Sequence, residues 1–136
     1  MAVAGYSKTP LSKKLGIKPG MRVAVLGAPD GYRDWLAPLP DDVTWTDSVT
    51  VDVDLVHLFM TEAERLGRQL SDCRQRLRPD AVIWASWPKK ASKRPTDIIE
   101  GTIRELALPL GYVDVKVCAV SEIWSGLKLV VRRELR

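Results

Sequence analysis

The chain has 136 residues, enough for one domain with one core. A chain of this size buries roughly two-thirds of its unfolded surface, so it needs no disulfide or metal to fold. Apolar residues make up 46% and charged residues 28%, an ordinary globular balance. The net charge of +4 is uneven, −1 over residues 1–60 and +5 over residues 61–136. That asymmetry fits solvated helix faces, and also an anionic partner for the second half. Cys73 and Cys118 fall at patterned apolar positions with no C-x-x-C pair, and His57 has no second histidine at metal-ligand spacing. Metal ligation is therefore not expected, and buried reduced thiols suit a cytoplasm. The first residues lack the apolar core of a signal peptide. No run approaches the ~20 apolar residues of a membrane span.

In chain order, Thr9-Pro10 and Leu11-Ser-Lys-Lys-Leu15-Gly16 predict a cap, one or two helical turns and a glycine stop. Lys18-Pro-Gly20 is a turn. Val23-Ala-Val-Leu26 is an unbroken apolar strand, as in a parallel sheet covered on both faces. Residues 31–36 predict a short helix ended by Pro38 and Pro40, and residues 43–46 a short peripheral strand. Residues 54–60 predict a second buried strand. Thr61-x-x-Glu64 then reads as a capping box, and Ala63, Leu66, Leu70, Cys73 and Leu77 form one helical stripe. Residues 81–87 predict a third buried strand. Asp97-x-x-Glu100 reads as the cap of a helix with the stripe Ile99, Ile103, Leu106 and Leu110. Residues 113–120 and 127–133 alternate apolar and polar, which predicts a half-exposed antiparallel pair. In that pair Val113, Val115, Val117, Ala119, Leu127, Leu129 and Val131 would face helices, and Asp114, Lys116, Lys128 and Arg132 would face water or a partner.

Helices between strands argue for crossover connections and a parallel sheet. The expected fold is three-layer α/β and Rossmann-like, with about six strands, a parallel centre and a C-terminal antiparallel pair. It forms one domain over residues 1–136, with residues 1–19 as an arm carrying the short helix. From Asp54 onward the order resembles the second half of the class I S-adenosylmethionine-dependent methyltransferases. Residues 20–46 resemble that family's first strand, first helix and second strand. The helix–strand–helix section between is missing, so the resemblance is to a truncated form. The chain also resembles a family of small bacterial proteins of unknown function. The matching segments are Gly5-Tyr-Ser-x-Thr-Pro-Leu11, Lys14-Leu-Gly-Ile-Lys-Pro-Gly20, Leu26-Gly-Ala-Pro-Asp-Gly31, Trp87-Pro-Lys-Lys-Ala-Ser92 and Trp124-Ser-Gly-Leu127. That second resemblance implies no activity.

The loop after the first strand is Gly27-Ala28-Pro29-Asp30-Gly31. A nucleotide-binding fold places Gly-x-Gly here, because the backbone must approach the ligand and offer N–H groups. Pro29 stands at the middle glycine and has no N–H. The methyltransferase resemblance also implies a carboxylate before this loop, which is absent. Asp47, just past the second strand, stands where a ribose-binding acid would, and a loop aspartate is also ordinary turn chemistry. These departures lead us to expect no cofactor, S-adenosylmethionine included.

Candidate ligand-binding residues are Gly27, Ala28, Asp30 and Gly31, with Trp87, Lys89, Lys90 and Ser92 in the basic loop beyond the third strand. Together they would border a strand-end crevice for an anion. No catalytic residue stands out. His57 is mid-strand, remote from the crevice, and no nucleophilic triad is recognisable. Trp84 and Trp87, three apart in a strand, point to opposite faces. Trp124 is the tryptophan expected to be exposed, and so the candidate interface residue. Stacking on nucleic acid needs interleaved aromatics and cations; only Trp87 with Lys89 and Lys90 offers them, which argues against that partner. The reading is a non-catalytic cytoplasmic binding or regulatory protein for an anionic small molecule or a protein partner. The alternatives are a methyltransferase with an atypical cofactor loop and a structural module that dimerises through its C-terminal strands.

Overall fold

A computed structural model describes residues 9–136. Gly5, Tyr6 and Ser7 of the opening motif lie outside the described residues. The elements are α1 (Leu11–Leu15), β1 (Arg22–Leu26), α2 (Tyr32–Leu36), β2 (Thr44–Thr46), β3 (Leu55–Phe59), α3 (Ala63–Arg76), β4 (Val82–Pro88), α4 (Glu100–Ala107), β5 (Tyr112–Ala119) and β6 (Trp124–Val131). The strands form one sheet in the order β2-β1-β3-β4-β6-β5. The pairs β1–β2, β1–β3 and β3–β4 are parallel; β4–β6 and β5–β6 are antiparallel. This is the expected Rossmann-like sheet with a parallel centre and an antiparallel C-terminal pair. Eight residues separate β2 from β3, too few for a crossover helix and another strand, so β2 is an edge.

The central strands are apolar because both faces are covered. On one face α3 and α4 pack Leu66, Leu70, Cys73, Ile103 and Ala107 against Val56, Leu58, Ile83, Ala85, Leu127 and Leu129. On the other, Leu15 of α1 and Tyr32 and Leu36 of α2 cover Val23, Leu55, Phe59 and Trp84. The Trp84 indole donates to the Leu15 carbonyl at 2.8 Å, tying the end of α1 to the sheet. Trp87 enters the opposite core, as strand alternation requires.

Three local expectations fail. The Thr61/Glu64 capping box does not form: no side chain of the helix's own first turn caps α3. Asp97 instead accepts a 2.7 Å bond from the Ala63 amide, while the Thr61 carbonyl accepts the Asp97 amide and the Thr96 hydroxyl. Nor does Asp97 cap α4, whose boundary residue is Ile99, with Thr102 Oγ1 accepting the Ile99 amide. Ile99 is 67% exposed and Ile98 is buried in its place. In β5 the register slips between Asp114 and Lys116. Val115 and Val117 consequently stand 51% and 48% exposed rather than under helices, and Asp114 pairs with Arg104 of α4 at 2.8 Å rather than facing water. Leu127, Leu129 and Val131 do face the helical core.

Among the described residues, no helix is long and apolar enough to cross a membrane. Among them too, no group of three or more His, Cys, Asp or Glu side chains could hold a metal.

Candidate functional site at the strand ends

The turn after β1 is forced close to β3. Gly27 has φ +77°, and a Cβ there would sit 2.6 Å from the Phe59 carbonyl oxygen. No side chain fits, so the turn can hug the strand ends only as glycine. Gly31, at φ +83°, starts α2. Between them the Pro29 carbonyl accepts the Tyr32 amide at 3.3 Å. The amides of Ala28, Asp30 and Gly31 have no hydrogen-bond partner among the described residues. Pro29 thus removes one donor from this loop, and the Ala28, Asp30 and Gly31 amides remain on either side of it.

This loop divides two hollows. The larger, about 830 Å3, is bordered by Ala28, Pro29 and Gly31, by Tyr32, Arg33 and Asp34 of α2, and by Trp45, Thr46 and Asp47 at the end of β2. Parallel pairing of β1 with β2 brings Asp47 beside the glycine loop. Trp45 forms an aromatic wall, with the Arg33 guanidinium 4.7 Å from its ring centre. The smaller hollow, about 320 Å3, lies on the other side of Gly27, with Phe59, Met60, Thr61, Glu62, Arg65, Gln69 and Trp124 around it.

Beneath the larger hollow lies a buried polar chain. The Tyr32 hydroxyl is 2.7 Å from His57 Nδ1, and Ser86 Oγ is 2.7 Å from His57 Nε2. The imidazole also stacks on Phe59 at 4.2 Å. Burial pushes the His57 pKa down to about 3 and the Tyr32 phenol up. A neutral ring satisfies both neighbours in either tautomer. His57 is thus a core residue, as its mid-strand place implies.

The predicted site residues divide. Ala28 and Gly31 border the larger hollow and Gly27 the smaller, while Asp30 is exposed between them. Lys89, Lys90 and Ser92 line neither. Ser92 Oγ donates to the Lys89 carbonyl and accepts the Arg94 amide, so it shapes the turn. Trp87 is buried in the core on the α3/α4 side rather than beneath a ligand. Trp124 is only 6% exposed, with its ring edge-on to Phe59 at 5.1 Å; it is the first residue of β6 and not the tip of a turn, which corrects its expected exposure. The sequence reading missed Tyr32, Trp45 and Arg65. The one available signal was that Trp45 and Asp47, two apart, share a side of the extended chain.

No family model matches the chain, and no curated protein matches its sequence. Solved structures do match its fold. A ribosomal protein L11 methylase from Lactobacillus delbrueckii subsp. bulgaricus is similar with a TM-score of 0.56 at 14% identity, over 90% of this chain and 75% of that one. A SAM-dependent methyltransferase from Aquifex aeolicus gives 0.57 at 16%, over 89% and 87%. A magnesium protoporphyrin IX methyltransferase from Synechocystis, solved with bound SAH, gives 0.57 at 14%, over 89% and 78%. At these identities the likeness establishes the fold. It also corrects the expectation of a non-catalytic binding protein without S-adenosylmethionine: these three likenesses are to a methylase and two methyltransferases, one of them described as SAM-dependent and another solved with bound SAH. In the loop itself, the Ala28, Asp30 and Gly31 amides are unpartnered among the described residues, and the Asp47 carboxylate stands at the neighbouring strand end, while β1 supplies no carboxylate.

Proposed function

We propose that this chain is an S-adenosylmethionine-dependent methyltransferase, with the cofactor in the larger hollow and the methyl acceptor entering through the smaller. The observation that carries the reading is the Gly27–Gly31 loop dividing two strand-end hollows in a sheet of methyltransferase order. The residues present fit the cofactor's chemistry. Asp47 offers a carboxylate to a ribose diol, the Ala28, Asp30 and Gly31 amides offer donors, and Val25, Tyr32 and Trp45 offer apolar walls. The cofactor would supply a methyl group on a sulfonium centre. The chain's own work is to bind, orient and exclude water. Phe59, Met60 and Trp124 wall the acceptor side, Arg65 and Gln69 orient a polar acceptor, and Glu62 takes up its proton.

A cytoplasmic setting and a single-domain organisation belong to this proposal, supported by the free cysteines and the continuous sheet. So does kinship with the small bacterial proteins that share the Leu26–Gly31 and Trp87–Ser92 segments. Calorimetric titration with S-adenosylmethionine and S-adenosylhomocysteine tests the reading. Binding should be measurable and should weaken on the order of 10-fold in Asp47→Ala, the loss of one charge-assisted contact. Absence of heat with either ligand at millimolar concentration would overturn it.

A further inference from the structure

The smaller hollow has two unlike walls. One is apolar and buried: Phe59, Met60 and Trp124 are 4%, 8% and 6% exposed. The Phe59 and Trp124 rings stand at 83° with centroids 5.1 Å apart, so this wall is a corner of two crossed aromatic planes. Such a corner suits a third flat ring, which packs face-on to one plane and edge-on to the other. The opposite wall is polar and comes from the entry and first turns of α3. Thr61, Glu62, Arg65 and Gln69 border the hollow, and none of these four side chains has a hydrogen bond or ion pair among the described residues. The other arginines of α3 are all engaged: Arg68 with Glu64, Arg76 with Asp72, and Arg74 with the Leu110 carbonyl. Arg65 is the one left to meet a ligand.

Arg65 and Gln69 are four apart in α3 and so neighbours on one face. Both carry N–H donors, and a carboxylate offers two oxygens to match them; its bonds to a guanidinium are of the short, charge-assisted kind. The volume sets the size of the rest. At about 320 Å3 the hollow is about twice the roughly 150 Å3 of a cavity that holds benzene, which leaves room for one ring with small substituents. Glu62 is the carboxylate bordering the hollow. A phenolic hydroxyl, with an ordinary pKa of about 10, is a poor nucleophile until a neighbouring base takes its proton. The segment from Lys89 to Asp97 is pinned beside both walls. The Lys89 amide donates to the Ile123 carbonyl, next to Trp124, and the Asp97 amide and Thr96 hydroxyl donate to the Thr61 carbonyl. Lys89, Lys90, Lys93 and Arg94 of this segment outnumber Asp97 and Glu122 at its two ends. They do not line the hollow, but they raise the local concentration of anions.

We infer that the methyl acceptor is a single-ring aromatic carboxylate bearing a ring hydroxyl, its ring in the Phe59–Trp124 corner, its carboxylate on Arg65 and Gln69 and its hydroxyl at Glu62. The inference rests on the methyltransferase reading and deepens it. In the transfer the hydroxyl oxygen bonds to the methyl carbon, the carbon–sulfur bond breaks with its electron pair left on sulfur, and the hydroxyl proton passes to Glu62. The three monohydroxybenzoates and their amides are titrated calorimetrically into the full chain, with and without saturating S-adenosylhomocysteine. At least one hydroxybenzoate should bind about 10-fold or more tightly than its amide, the advantage of a charge-assisted pair over a neutral one. Arg65→Gln should erase that difference and Arg68→Gln should keep it. Both arginines are exposed, so both variants should fold. The corresponding hydroxycyclohexanecarboxylates, which lack a flat ring, should bind more weakly than the hydroxybenzoates. The inference is overturned if no hydroxybenzoate binds a chain that does bind S-adenosylhomocysteine, an outcome that leaves the methyltransferase reading standing. It is equally overturned if Arg65→Gln keeps the preference for acid over amide, or if phenyl phosphate or the cyclohexane acids bind as tightly as the hydroxybenzoates. A chain that binds a hydroxybenzoate but not S-adenosylhomocysteine loses the acceptor role together with the methyltransferase reading.

Discussion

The Tyr32 hydroxyl meets His57 Nδ1 at 2.7 Å in the interior, between the larger hollow and the sheet. One ring of Tyr32 thus serves two purposes. It borders the hollow, and its hydroxyl is held by a histidine that is completely buried. The geometry of the hollow's wall depends on a residue in β3 that no ligand can touch.

That dependence has a pH signature. His57 is the only histidine in the chain, and its native pKa is depressed by burial to about 3 from an ordinary 6.5. Between those values the unfolded state binds a proton that the native state refuses. Stability must therefore fall as pH drops through this window, by about 1.4 kcal/mol per pH unit from this group alone. Urea melts of wild type and His57→Gln between about pH 6.5 and 5, above most carboxylate titration, should show the slope in wild type only. Replacement also leaves the Tyr32 and Ser86 hydroxyls poorly partnered, costing about 2 kcal/mol or more near neutrality. Equal slopes in both proteins would show that the imidazole is not refusing its proton.

Gly27→Ala should be far more damaging than Gly20→Ala. Both glycines have positive φ, so each substitution incurs roughly 1–2 kcal/mol of backbone strain. At Gly20 the added methyl meets nothing within 4 Å, whereas at Gly27 it lands 2.6 Å from a backbone oxygen that cannot move aside. The difference between the two denaturation midpoints isolates the close approach. Equal midpoints would mean that the loop does not hug β3.

The cap of α3 gives a third prediction. Asp97→Ala should destabilise by about 1 kcal/mol, because its carboxylate accepts the Ala63 amide. Glu64→Gln should change stability by less than about 0.5 kcal/mol. Glu64 is exposed, and its one ion pair, with Arg68, spans 3.8 Å. Thermal melts of the two variants decide between the observed cap and the capping box that the sequence suggests.

These cases show where local pattern sufficed. The α3 stripe of Leu66, Leu70 and Cys73 packs as the periodicity requires. Trp84 and Trp87 part to opposite faces because strand geometry leaves no choice. Asp97 was readable as a cap, but not as the cap of a helix that begins 34 positions earlier, since the local signal is the same for either helix. The bulge at Val115 carries no glycine to announce it, and it flips the alternation of β5. The two hollows were only half legible. Their glycine loop is one contiguous segment, while Asp47, Trp45, Arg65 and Trp124 join it through strand pairing and helix packing. Pro29 shows in the sequence as a missing donor, whereas the unpartnered amides of Ala28, Asp30 and Gly31 show only in the structure.

Trp124 yields the last prediction. Its ring is buried against Phe59 in the core that also holds Tyr32, Leu36 and Trp84. Its carbonyl accepts the amides of Val120 and Ser121 at the hairpin bend. Trp124→Ala leaves those backbone bonds available but empties an indole-sized volume beside the smaller hollow. Large aromatic-to-alanine changes in cores cost about 3–5 kcal/mol, and collapse of the hollow's Phe59–Trp124 wall should accompany the loss. Trp124→Phe, which keeps an aromatic edge near Phe59, should cost distinctly less. Urea denaturation of both variants reads the stabilities, and sedimentation of the wild type and Trp124→Ala reads self-association. A stable, fully folded Trp124→Ala protein with weakened self-association would return this residue to the surface and contradict its buried position.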